Sequence, residues 1–227
     1  MPRRTAFRIV GLAVLLSVAA TAADGAKIRV VATLPDLKSL TEAVGGDLVD
    51  VDALARGTQN AHDVELRPSL MLKLRRADLL VINGLELDFW VDQLTRGANN
   101  PALAPGARGH VDASRGIRVL EVPTGGIDRS MGDVHPYGNP HYTLDPGSAG
   151  VVTANIVEGL ARVAPAERPR FERRRQEFLA RLAEAEARWT KTLEPFRGRR
   201  LVVNHNLWTY FFARFGLVLA GTLEEKP

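Results

Sequence analysis

From Lys27 onward, short β-branched runs alternate with amphipathic helical stretches, and this restricts the chain to a parallel sheet with helices on its faces. Lys27-Ile28-Arg29-Val30-Val31-Ala32 reads as the first strand. Residues 48–54 alternate apolar and polar as a second, 78–82 form a buried third, and Ile117-Arg118-Val119-Leu120-Glu121-Val122 is expected as a fourth. Pro35 opens a helix with Leu37, Leu40 and Val44 on one face, ended by Gly45-Gly46, and Pro68 opens another through Leu70, Met71 and Leu74. A third helix carries Leu87, Trp90 and Leu94, and a fourth runs from Pro146 to about Arg162 with Asp145 as its N-cap.

The segment 165–194 is different in kind. Phe171, Phe178, Leu182, Ala185, Trp189 and Leu193 fall on one stripe, and about 30 helical residues span ~45 Å, too long for a link between neighbouring strands. It reads as a stiff spine between two lobes. Arg168, Arg170, Arg173, Arg174 and Arg175 alternate with Glu167, Glu172 and Glu177 at its start, as on a solvated helix face. Beyond it lie a strand at 200–203, a helix through Trp208, Phe211, Phe212 and Phe215 capped by Gly216, and a strand at 217–220. The expected fold is therefore α/β: two lobes of parallel sheet with flanking helices joined by one long helix, the second lobe incomplete in this chain. The divisions are 1–23 signal peptide, 27–163 first lobe, 164–195 linking helix and 196–227 partial second lobe. An incomplete lobe leaves a strand edge exposed.

The signal peptide rests on Arg3, Arg4 and Arg8, the apolar run 9–20 and the small residues Ala20-Thr21-Ala22-Ala23. The chain has no cysteine, which excludes thiolate metal sites, disulfides and a lipoprotein thiol. A periplasmic protein with no stable membrane insertion after signal cleavage follows. Setting aside the three signal arginines, 27 basic residues face 26 acidic ones, so the high pI gives no support to a nucleic-acid partner.

Three of the five histidines each follow a run that reads as a strand, in distinctive phrases: His62 in Asn60-Ala61-His62-Asp63-Val64-Glu65, His141 in Asn139-Pro140-His141-Tyr142, and His205 in Val203-Asn204-His205. Ligands of open α/β sheets collect at strand carboxyl ends, so these three imidazoles can converge on one divalent ion, for which neutral ring nitrogens are suitable donors. Spacings of 79 and 64 residues exclude a local zinc-finger pattern. His135, six residues before His141 in the Gly- and Pro-rich stretch 123–145, reads as an auxiliary or capture ligand or as a turn residue. His110 is expected exposed and idle. Glu65 either orients the His62 imidazole from behind or caps the helix at Pro68.

These phrases resemble the metal-specific solute-binding proteins of bacterial ABC transporters, the zinc and manganese receptors. The resemblance extends through Val31-Ala32-Thr33-Leu34-Pro35-Asp36-Leu37, Gly45-Gly46-Asp47, Val64-Glu65-Leu66-Arg67-Pro68-Ser69, Arg76-Ala77-Asp78-Leu79-Leu80-Val81-Ile82-Asn83-Gly84-Leu85, and Trp208, Tyr210-Phe211 and Arg214-Phe215-Gly216-Leu217. It implies a metal in the cleft between the lobes, held by His62, His141 and His205. It further implies a fourth, carboxylate ligand from beyond residue 227, and weaker binding where that ligand is missing. Family members usually carry Tyr and Lys around the third histidine, where this chain has Asn204 and Asn206.

The implied activity is non-enzymatic: capture of a divalent metal and delivery, as a monomer, to a permease with its cytoplasmic ATPase. Zn²⁺ is the expected cargo, with Mn²⁺ or Fe²⁺ as alternatives, because an imidazole at 205 suits zinc better than a harder ion. The competing readings are a secreted zinc hydrolase with Glu65 as general base, since three histidines and an open position are also a catalytic arrangement, and an adhesin on the same fold. No His-Glu-x-x-His helix is present.

Overall fold

The computed structural model describes residues 26–125 and 135–223, so the expected signal peptide lies outside the described residues. Four strands, β1 (Ile28–Ala32), β2 (Val49–Ala53), β3 (Leu79–Ile82) and β4 (His110–Asp112), form one parallel sheet in the order β2-β1-β3-β4. Interior strands of such a sheet are covered on both faces and need apolar residues throughout. Accordingly Val30, Val31, Leu79, Leu80 and Val81 are all buried. Edge strand β2 keeps its alternation, with Val49 and Val51 buried and Asp50 and Asp52 outward.

Helices α1 (Pro35–Gly45), α2 (Pro68–Arg76), α3 (Val91–Ala98) and α4 (Ala149–Val163) complete the first lobe. α1 and α2 each start with proline, whose missing N–H falls where no intrahelical acceptor exists. Asp145 caps as expected, accepting from the Gly147 N–H at 2.8 Å, but on a 3₁₀ turn (Pro146–Ser148) that precedes α4.

Helix α5 (Arg168–Leu193) runs 26 residues, about 39 Å, and packs its first half on α1 and α4. Phe171 is buried there, whereas Phe178, Leu182 and Ala185 are half-covered and Trp189 is exposed. The arginine cluster is less solvated than its pattern suggests. Arg174 donates to the Gly45 carbonyl and pairs with Asp47, and Arg175 donates to Thr153 Oγ1 and the Gly150 carbonyl. Long apolar stems let these guanidinium groups clamp the helix to the lobe.

Beyond α5, β5 (Arg200–Val203) and β6 (Val218–Thr222) form a two-stranded parallel sheet, linked by α6 (Thr209–Phe215). Gly216, at φ 70°, ends α6 and donates its N–H to the Phe212 carbonyl. Among the described residues no helix is long and apolar enough to cross a membrane.

Three expectations fail. The fourth strand is His110–Asp112, paired with Leu80–Ile82, and not 117–122. The Ile117-to-Val122 run has its main chain engaged elsewhere: the Leu120 N–H donates to Tyr210 Oη, the Leu120 carbonyl accepts from the Asn139 N–H, and Glu121 sits at φ 54°, which no strand tolerates. His110 is accordingly not idle. It opens β4 half-buried, its Nδ1 3.0 Å from the Leu103 carbonyl. The third helix also starts later than its apolar pattern, because Gly84, Leu85 and Glu86 all have positive φ and place Leu87 and Trp90 in a turn before Val91.

Candidate metal centre

The turn after β3 organises the first-lobe half of the site. Asp88, 2% exposed, accepts from Thr33 Oγ1 (2.5 Å), the Asn83 N–H (2.6 Å) and the Gly84 N–H (3.1 Å). Burial pushes its carboxyl up, while the three donors pull it back. The turn so fixed reaches two histidine loops. Trp90 Nε1 donates to the Ala61 carbonyl (2.8 Å), next to His62, and Asn83 Nδ2 donates to the Pro140 carbonyl (3.1 Å), next to His141. Tyr142 Oη closes the circuit on the Asn83 carbonyl at 2.7 Å.

His62, His141 and His205 are brought together by these loops and by the loop after β5. One ring nitrogen from each lies within 4.8 Å of the other two, and all three side chains are half-buried. His62 Nε2 and His141 Nε2 are 3.2 Å apart. Two imidazole nitrogens on a tetrahedral zinc, each bound at about 2.0–2.1 Å, stand about 3.3 Å apart, so this pair already has the spacing of one coordination edge. The donor set also fits: His141 Nδ1 faces Asn139 Oδ1 at 3.0 Å, an acceptor, so Nδ1 carries the proton and Nε2 presents a lone pair. Burial, then the neighbouring histidines, holds the His141 imidazole well below its ordinary value, at about 3, which keeps it neutral and ready to ligate.

His135 joins the cluster from the other side of the Pro-Tyr-Gly turn. Its ring stacks on that of His62, with centroids 5.0 Å apart and planes inclined by 25°, and lies 6.4 Å from His141. Glu65 does not take the expected capping role. Its exposed carboxylate is held by the Arg67 guanidinium at 2.5 and 2.9 Å, and α2 has no side-chain cap. The acceptor behind the His141 ring is Asn139, which the sequence placed only as part of a phrase. Its signal was its position two residues before His141, where a short amide can fold back onto the ring.

Tyr210 Oη accepts the Leu120 N–H and donates to the Asn139 carbonyl, joining α6 of the second lobe to the His141 loop. The α/β scaffold thus gathers three imidazoles from loops on two parallel sheets that one long helix connects. The sequence model of the family described as zinc-uptake complex component A, periplasmic, matches residues 30–227, and the chain belongs to that family. It is 24% identical over 217 residues to the iron-binding protein YfeA of Yersinia pestis, covering 92% of this chain and 65% of that protein. It is 24% identical over 196 residues to the high-affinity zinc uptake system protein ZnuA of Bacillus subtilis, covering 85% and 60%. The chain thus spans roughly three-fifths to two-thirds of these curated relatives. A solved zinc-bound ZnuA carrying a deletion superposes with a TM-score of 0.74 at 26% identity, covering 87% of this chain and 70% of that one.

Proposed function

We propose that this chain captures a divalent transition metal, zinc foremost, in the cleft between its lobes and delivers it to an ABC permease driven by a cytoplasmic ATPase. The observation that carries this reading is the convergence of three imidazoles from separate loops, one of them with its tautomer fixed for ligation. His62, His141 and His205 hold the ion, and His135 serves as an auxiliary ligand at the rim. The names of relatives, which specify zinc in one case and iron in another, support a transition metal and leave Mn²⁺ and Fe²⁺ as competing cargo. The protein acts outside the cytoplasmic membrane after removal of residues 1–23, as a monomer whose lobes, 27–163 and 196–227, are joined by 164–195.

Isothermal titration of the metal-free protein with Zn²⁺ and Mn²⁺ tests this. One-to-one zinc binding, weakened at least about 100-fold in His205→Ala, is expected, since loss of a ligand exceeds the 10–100-fold effect of losing an outer partner. Equal affinity in wild type and variant would remove His205 from the site. Turnover of esters or peptides by the zinc-loaded protein would favour a hydrolase, although Glu65, occupied by Arg67, is poorly placed as its base.

A further inference from the structure

Among the described residues Glu121 is one of four non-glycine residues at positive φ, and it lies in a stretch that sequence pattern reads as a strand. A backbone held in a region L side chains avoid persists where the surrounding contacts compensate for its strain. Glu121 Oε2 accepts from Asn139 Nδ2 (2.9 Å) and from Asn206 Nδ2 (3.0 Å), and Oε1 accepts from Thr209 Oγ1 (3.1 Å). All three donors flank the metal centre: Asn139 behind His141, and Asn206 and Thr209 on the second lobe just after His205.

An asparagine amide presents an oxygen on one side and an NH₂ on the other, and the two orientations have almost the same shape. A carboxylate has acceptors only. Facing Glu121, Asn139 must therefore turn its NH₂ toward the carboxylate, and the carbonyl of Asn206, 3.0 Å from the same nitrogen, favours the same orientation. Asn139 Oδ1 is thereby aimed at His141, where it accepts both the main-chain N–H and Nδ1, each at 3.0 Å. A proton on Nδ1 leaves Nε2 with a lone pair, directed at the site 3.2 Å from His62 Nε2.

We propose that Glu121 is the positioning residue of this centre: its carboxylate fixes the Asn139 amide, and through it the tautomer of His141. The same carboxylate registers the loop after His205 against the first lobe, so one side chain sets two imidazoles from opposite sides of the cleft. The tautomer part stands without any metal. Only its consequence for affinity rests on His141 being a ligand, as proposed above.

The test is ¹⁵N NMR of the imidazoles in the metal-free protein at pH 7.5, with zinc titration alongside, for wild type, Glu121→Gln and Glu121→Gly. In wild type the His141 Nδ1 should appear as the protonated nitrogen and Nε2 as the bare one. Glu121→Gln keeps the shape but can offer an NH₂ to Asn139. Glu121→Gly removes the carboxylate while suiting the left-handed backbone, so it guards against misfolding as the cause. Both variants should shift His141 toward a mixture of tautomers and weaken zinc about 10-fold. If Glu121 mattered only for backbone strain, Glu121→Gly would bind as wild type, and that result overturns the proposal. So does a wild-type His141 protonated on Nε2, or an unchanged ¹⁵N pattern in both variants. A correct tautomer response in a protein that binds no zinc would sink the metal reading alone.

Discussion

The loops that carry His62 and His141 and the loop that carries His205 are supported in opposite ways. The first two hang on a buried turn: Asp88, Asn83 and Trp90 are nearly inaccessible, and their polar atoms reach main-chain groups beside both histidines. His205 follows a strand whose Leu201 and Val202 are 40% and 58% exposed, in a two-stranded sheet. Hydrogen bonds gain strength where water is excluded, so the first-lobe half of the site is preorganised by its own core. The second-lobe half depends on cross-lobe contacts, those of Tyr210, Asn206 and Thr209. The difference implies that the first lobe sets the geometry and the second lobe is fitted to it.

The sharpest way to break this contrast is to remove the acceptor at the centre of the buried turn. Asp88→Ala leaves the Asn83 and Gly84 N–H groups and the Thr33 hydroxyl without their partner, each omission costing about 1–3 kcal/mol, partly offset by relief of the carboxyl's own desolvation. A net loss near 3 kcal/mol is expected in urea unfolding. Hydrogen exchange should show the amides of Asn83 and Gly84 losing protection while those of β5 and β6 keep theirs. Equal loss in both sheets would mean that the two halves are one cooperative unit.

A smaller effect per step comes from pH. In the unfolded chain His141 takes its proton near 6.5, whereas the native imidazole resists protonation until about 3. Between those values the unfolded state binds more protons. The group's contribution is therefore complete above pH 6.5 and is lost as pH falls, by up to ~1.4 kcal/mol per pH unit. Urea melts of the chelator-treated protein at pH 7, 6 and 5 should show this slope, and His141→Gln should flatten it. An unchanged slope in the variant would place the burial cost on another group.

Much of the scaffold was legible because strands and helices leave periodic marks: the β-branched runs at 28–32 and 79–82, the prolines opening α1 and α2, and Gly216 closing α6 are local signals. The same local reading misplaced the fourth strand. Ile117 to Val122 has β-like composition, but its main chain is taken by Tyr210 and Asn139, partners 90 and 19 residues away, while β4 is three residues long and too short to mark itself. The histidines stood out as rare residues in distinctive phrases. Their supports did not: Asp88 looks like any helix-start acid, and Glu121 like an outward strand residue, until the chain folds them against groups far along the sequence.

Trp90 offers the finest probe of the buried half, because its indole N–H reaches the Ala61 carbonyl beside His62. Trp90→Phe keeps an aromatic ring against the core but deletes the Nε1–H donor to the Ala61 carbonyl. Loss of one hydrogen bond and a little packing should cost about 1–2 kcal/mol in unfolding. If the indole steers the His62 loop, zinc affinity should fall about 10-fold, at the lower end for a group one step behind a ligand. His141, held through Asn83 and Asn139, should keep its ring ¹⁵N shifts in this variant. Were the His141 shifts to move as well, the two first-lobe histidines would share one rigid support, and the turn after β3 would have to be treated as a single positioning element rather than two separate arms.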